Sequence, residues 1–171
     1  MIAHEYDFAP PGKVDLFALA RRRPLTVADL PEEDEYGRTE LIDGSLYVTP
    51  LGDLSHQRLV WRLSKQLEAT FPDDDSLEVF PGANVVSQPK TLVIPDVAVI
   101  RAGQDGLGAS PADVVLVVEI TSPSTRRRDL TIKRDLYREW GVPLLLVDRS
   151  TSVPAVSVHG KLPDWVGEIS L

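Results

Sequence analysis

The sequence predicts an α/β domain: a mixed β-sheet flanked by helices, entered through an N-terminal hairpin and carrying a βαβ unit. Three observations predict it. Asp43-Gly44 joins two short apolar runs, and the two-residue hairpin turn wants positive φ at both central positions. Residues from about Leu54 to Thr70 repeat their apolar side chains at helical spacing. Later, the run Val114–Ile120, apolar but for Glu119, a helical stretch and a second run, Leu144–Asp148, follow in that order, which is the pattern of two parallel strands with a helical crossover.

Taken from the start, residues 1–25 read as a tail and 26–171 as the domain. The tail holds Pro10-Pro11-Gly12, Arg21–Arg23 and Pro24. Its apolar stretch Val14–Ala20 is interrupted by Asp15 and followed, not preceded, by basic residues, so no signal peptide is expected. Thr26 is placed to cap a short turn through Leu30, and the acidic run Glu32–Glu35 reads as solvated loop. The hairpin spans Glu40–Val48. In the helix that follows, with Asp53 or Ser55 at its cap, His56, Leu59, Val60, Leu63 and Leu67 share one face at about 100° per residue, while Arg58, Arg62 and Lys65 occupy the other.

Strands are expected at Leu77–Phe80, Ala83–Ser87 and Leu92–Ile100. Val114–Ile120 lacks alternation, as a strand buried on both faces does. A helix is expected over Thr125–Trp140, ended by Gly141 and kept from continuing by Pro143. Val153–His159 and Trp165–Leu171 complete the reading as edge strands.

The chain has 171 residues, 43% of them hydrophobic, which suits one domain with a real core. It contains no cysteine, so disulfides and thiolate metal sites are excluded, and a cytoplasmic location fits. Its apolar runs are too short to span a bilayer. The net charge of −8 argues against a protein that coats nucleic acid through bulk electrostatics. It leaves open an enzyme that meets phosphates locally through a metal ion.

Function shows where local rules break. Glu119 stands in the most apolar strand, where a carboxylate must be paired, protonated or metal-bound; the ordinary alternative puts it at the sheet edge, half solvated. Asp96 interrupts Leu92–Ile100 directly after Pro95, and a proline inside a strand implies an edge or a bulge; a turn aspartate is the alternative. Lys133 falls in the middle of the apolar stripe Leu130, Leu136, Tyr137 and Trp140, with Asp129 one turn earlier. Snorkelling or a plain Asp129–Lys133 pair would also account for it. Two carboxylates on adjacent strands with one inward lysine suit phosphodiester hydrolysis. Hard oxygen ligands favour Mg2+ or Mn2+, the ion would polarise a phosphoryl oxygen, and the lysine would orient water or offset developing charge.

These residues resemble a known group. Pro95-Asp96 with Glu119-Ile120-Thr121 resembles the PD-(D/E)xK, or restriction-endonuclease-like, superfamily. Within it the chain is similar to the Uma-two family of restriction endonucleases. The similarity rests on Glu40-Leu-Ile-Asp-Gly44, Ser55-His56-Gln57, Ile94-Pro95-Asp96-Val97 and Val118-Glu119-Ile120-Thr121-Ser122-Pro123-Ser124-Thr125, then Asp129, Lys133, Tyr137, Gly141-Val142-Pro143 and Val147-Asp148. It covers roughly residues 26–150. The resemblance implies the restriction-endonuclease-like fold, a DNA substrate, and a metal held by Asp96, Glu119 and the main-chain carbonyl of Ile120, with Glu40 as a further acidic residue. The superfamily lysine normally lies two residues after the glutamate, where this chain has Thr121; the resemblance implies its migration to Lys133. His56, Asp129 and Thr121 are accessory candidates, with a satisfied core histidine as the alternative for His56. Cutting both strands would suit a homodimer. Two other readings compete: a non-catalytic nuclease-fold binding or assembly module, and a glycosidase-type acid–base pair. The inward lysine and the 6% aromatic content argue against the second.

Overall fold

The computed structural model of the protein describes residues 15–30, 38–49, 52–70, 75–121, 129–150 and 154–166. The hairpin is where the sequence puts it. Strands β1 (Arg38–Ile42) and β2 (Ser45–Thr49) pair from Arg38–Thr49 to Ile42–Ser45. Asp43 and Gly44 between them take φ of 49° and 78°, the left-handed pair that this turn requires.

Helix α1 (Leu16–Ala20) lies within the stretch read as tail. Its Leu16 is buried with Leu25, Leu41 and Leu92, so packed chain extends back to Asp15. Thr26 and Asp29 form a capping box around the 3-10 turn Val27–Asp29. The acidic run Glu32–Glu35 lies outside the described residues.

Helix α2 (Leu54–Thr70) starts at Asp53, whose carboxylate accepts the His56 amide at 2.8 Å. This is an N-cap bond to the third helical residue. Leu59, Val60, Leu63 and Leu67 are buried as the periodicity requires, each contributing roughly 1.5–3 kcal/mol. Arg58, Trp61, Arg62 and Lys65 are exposed.

The strand expected over Leu92–Ile100 is two strands. β3 (Leu77–Pro81), β4 (Val85–Ser87), β5 (Thr91–Val93) and β6 (Val97–Arg101) are shared between two sheets. β5 joins the hairpin in a four-stranded sheet of order β2-β1-β5-β4, whereas β6 enters a five-stranded sheet next to β3. The break falls at Ile94-Pro95-Asp96, because proline has no N–H to give a ladder and its ring restricts the residue before it.

The five-stranded sheet continues with β7 (Val114–Thr121), β8 (Leu144–Asp148) and β9 (Ala155–His159), in the order β3-β6-β7-β8-β9. β7 and β8 are parallel and the other pairs antiparallel, which establishes the βαβ unit. α2 covers one face through Val97, Val99, Leu116, Val118 and Leu145. On the opposite face Ala98, Val117, Leu144 and Leu146 pack with Ile42, Val93 and Tyr137.

The crossover departs from the expected continuous α-helix. Asp129–Lys133 is π-helical, and α3 (Arg134–Glu139) follows; the expected start near Thr125 lies outside the described residues. π-helical turns recur at functional sites. Gly141 ends the helix with φ 70°. Its amide bonds the Arg138 carbonyl and that of Val142 the Tyr137 carbonyl, a Schellman arrangement. Of the last expected strand, Trp165 and Val166 pack instead against the α2-side core, and residues 167–171 lie outside the described residues. No described helix is long and apolar enough to cross a membrane.

Candidate active site

The register of the central sheet explains why two carboxylates meet. β6 and β7 pair Val97 with Val118, Ala98 with Val117 and Val99 with Leu116. One step beyond that register Asp96, just outside β6, comes beside Glu119. Glu119 shares the Val117 face, away from α2, since side chains alternate along a strand, while the Asp96 carboxylate turns to the Ile120 amide and to His56 of α2. From the four-stranded sheet, β1 brings Arg38 and Glu40, two residues apart and therefore on one face. The crossover helix supplies Lys133 and, one turn on, Tyr137.

Lys133 is the centre of the cluster. Its Nζ lies 2.8 Å from Glu40 Oε1 and 2.7 Å from Glu119 Oε1, and donates to the Ile94 carbonyl at 3.3 Å. Its side chain is 3% exposed, which decides against snorkelling. The side chain of Asp129, the other expected partner, lies outside the described residues. Glu40 also accepts the Ile94 amide at 2.7 Å. Burial works to raise the Glu40 pKa; the Lys133 ammonium and the Ile94 amide outweigh it and hold the carboxyl below its ordinary value.

Asp96 is held from three directions. Oδ1 accepts from Arg38 Nη1 at 2.5 Å and lies 3.2 Å from His56 Nε2, while Oδ2 accepts the Ile120 amide at 2.7 Å. Burial again pushes upward, and His56 and Arg38 together bring the carboxyl well below the usual carboxylate range. Arg38 also donates to the Ile94 carbonyl. Burial opposes its charge, but Asp96, with Glu119 and Glu40 behind it, raises its pKa.

Sequence reasoning gives two of these residues no role at the site. Tyr137 was assigned to the apolar stripe, yet its hydroxyl donates to Glu119 Oε1 at 2.7 Å. Desolvation, then the neighbouring Glu119 and Glu40, drives the phenol pKa well above its ordinary value, so it stays a neutral donor. Arg38 lies just outside the predicted hairpin, two residues before Glu40, and the observed β1 extends back to include it. Thr121 shares the Glu119 face, but its hydroxyl turns to the Val147 carbonyl and Asp148 at 3.5 Å.

Proline explains one more feature of the site. Val117 donates to Pro143, so Ile120, three residues on, turns its amide and carbonyl to the β6 side. The continued ladder would set Ile120 opposite Pro95, which has no N–H. Pro95 therefore has no N–H to offer the Ile120 carbonyl, and the Asp96 carboxylate takes the Ile120 amide.

Among the described residues no three His, Asp or Glu side chains are gathered so as to enclose an ion by themselves. Lys133 bridges Glu40 and Glu119 instead, and Arg38 pairs with Asp96. The donor set that the resemblance implies is smaller: Asp96, Glu119 and the Ile120 carbonyl. Magnesium takes such a set, binding through one or two carboxylates and completing its shell with water and phosphate.

Residues 26–159 match the Uma2 family, described as "Putative restriction endonuclease". The chain belongs to this family. A solved structure from Anabaena variabilis ATCC 29413, titled a "putative nuclease belonging to DUF820", is similar over 86% of this chain and 94% of that one, with a TM-score of 0.62 and 17% identity. At that identity the likeness establishes a shared fold. No curated protein matches the chain by sequence. The Uma2 match includes Glu40, Asp96, Glu119 and Lys133.

Proposed function

We propose that this Uma2 member is a divalent-metal-dependent endonuclease that hydrolyses DNA phosphodiester bonds, of the PD-(D/E)xK type with its lysine moved to the crossover helix. The observation that carries the reading is the buried Lys133 ammonium, held between Glu40 and Glu119. A buried lysine-centred cluster stabilises a fold poorly compared with apolar packing, so its presence in the core favours a chemical role.

Asp96, Glu119 and the Ile120 carbonyl would hold Mg2+ or Mn2+. The ion supplies charge neutralisation at the phosphoryl oxygen and lowers the cost of deprotonating water. Everything else falls to the chain's own groups. The Ile120 amide fixes Asp96, and the Tyr137 hydroxyl fixes Glu119. The Lys133 ammonium, its three donors directed at Glu40, Glu119 and the Ile94 carbonyl, would offset negative charge developing on the phosphate. Glu40 holds that ammonium in place.

One observation favours the second reading, a nuclease-fold module without catalysis: Asp96 is already satisfied by three protein donors. Supercoiled and linear DNA incubated with Mg2+ or Mn2+ separates the two. Nicking or linearisation that disappears in Asp96→Ala, Glu119→Ala and Lys133→Ala supports the nuclease. Calorimetric metal binding without cleavage of any DNA form supports the module. Cleavage that persists after exhaustive chelation sinks the metal-dependent reading.

A further inference from the structure

Arg38 differs from its neighbours in one respect. Its side chain is 22% exposed, against 5% for Asp96 and 3% for Lys133. It therefore stands at the mouth of the cluster, with its guanidinium on the Asp96 oxygen that does not serve the Ile120 amide. The same oxygen lies 3.2 Å from His56 Nε2. A divalent ion ligated there would stand next to the guanidinium, and two cations cannot share one carboxylate oxygen at contact distance without strong repulsion.

On the reading that the site holds a divalent ion, we propose that Arg38 is a resident cation that the metal displaces from Asp96, and that the released guanidinium then binds the scissile phosphate. The charges support the exchange. Three carboxylates (Glu40, Asp96 and Glu119) face two cations (Lys133 and Arg38), so the cluster, with His56 counted as neutral, is one negative charge in excess. A divalent ion turns this into one positive charge in excess, which a single phosphodiester cancels. Were Arg38 only a permanent partner of Asp96, its fork would be spent inside the protein. Freed, its planar donors match two phosphate oxygens, a geometry that lysine cannot reproduce. Its place on β1 beside the solvent gives the side chain somewhere to turn, which the enclosed Lys133 lacks.

Manganese affinity measured by calorimetry, together with binding of a short duplex oligonucleotide in manganese measured by anisotropy, tests the exchange. Arg38→Ala should bind manganese more tightly, by about tenfold, a change of the size that groups around a metal site impose, while its duplex affinity falls by about tenfold or more. A merely structural Arg38 would do the opposite: loss of its hold on Asp96 would leave manganese binding weaker or unchanged, and that result overturns the proposal. Arg38→Lys keeps the charge and guards against misfolding of the alanine variant, which circular dichroism detects. It should retain near-native manganese affinity but lose duplex affinity; undiminished duplex binding by this variant also overturns the proposal. A wild-type protein that binds no manganese sinks both this exchange and the nuclease reading, whereas wild-type cleavage with weakened metal binding in Arg38→Ala sinks the exchange alone.

Discussion

The Asp96 carboxylate accepts the Ile120 amide at 2.7 Å, in the place where a continued β6–β7 ladder would offer the carbonyl of Pro95. The side chain next to the proline thus substitutes for its main chain. The two effects of Pro95 are separable: it ends β5 and β6 as one strand, and it withholds a donor from the Ile120 carbonyl.

Pro95→Ala restores that donor. The expected outcome is a folded protein whose manganese affinity falls by about tenfold, in the range seen when groups around a metal site are altered. The alanine N–H would compete with the ion for the Ile120 carbonyl. Calorimetry with manganese checks this, and an unchanged affinity would show that the carbonyl is not a ligand.

Lys133→Met removes the cation from between Glu40 and Glu119 while keeping its packing volume. At pH 7 the variant should lose about 3–5 kcal/mol, as buried pairs do when one partner is removed. The pH dependence follows from sign. In the wild type the folded pKa values of Glu40 and Asp96 lie below their ordinary values. Their contribution is complete above the unfolded carboxylate range, about pH 4, and is lost as pH falls through the folded values. In the variant, burial of Glu40 is no longer opposed by the ammonium, so its pKa should rise above the ordinary value. Such a group favours the folded state below its folded pKa. Urea denaturation at pH 7.5 and pH 5 should therefore show the variant gaining stability on acidification, where the wild type stays flat. A constant gap between the two proteins would contradict the central placement of Lys133.

Much of this arrangement was legible in the sequence because it breaks local rules. Lys133 on an apolar stripe and Glu119 in an apolar run each demanded a partner, and strand register supplied the opposition of Asp96 and Glu119. The hairpin and α2 were legible because turn chemistry and periodicity are local. The π-helical turn was not, because a single expanded turn leaves no mark on a 100° pattern. The split of Leu92–Ile100 between two sheets was only half visible: Pro95 announced a break, but which sheet each half joins is a long-range choice. Arg38 stayed hidden because a charged residue near a strand end is ordinary until its partner, 58 residues away, is brought beside it. Tyr137 stayed hidden because an aromatic residue on a buried stripe needs no explanation beyond packing.

Tyr137→Phe tests that last point. The ring keeps its edge-on contact with Trp140, at a centroid distance of 6.0 Å, and loses only the hydroxyl that serves Glu119. A hydrogen bond to a charged group is worth about 1.5–3 kcal/mol, and chemical denaturation should register a loss of that size. Nuclease activity assayed well below the melting point should fall as well, because Glu119 loses a group that fixes its orientation. A variant of wild-type stability would mean that Glu119 is held adequately without the phenol.

Gly44→Ala asks whether the turn of the hairpin governs the site from a distance. Gly44 has φ of 78°, and an added Cβ would lie 2.7 Å from the Pro24 Cβ and 2.9 Å from the Leu25 carbonyl oxygen. Its carbonyl accepts the Leu25 amide and its own amide donates to Lys90, at 2.8 and 2.9 Å, so the turn cannot simply swing away. The left-handed conformation costs alanine roughly 1–2 kcal/mol, and overpacking adds about 1–3 kcal/mol. For a domain of this size each kcal/mol lowers the melting temperature by about 2–4 °C, so a fall of about 4–20 °C is expected by calorimetry. Because Arg38 and Glu40 reach the cluster only through the register of β1 against β2 and β5, a relaxed turn should also loosen Glu40 from Lys133. The variant's stability loss should then shrink when measured in a Glu40→Gln background, since the two changes act on one connected element. Full additivity of the two losses would show that the turn stabilises the hairpin without positioning the acid.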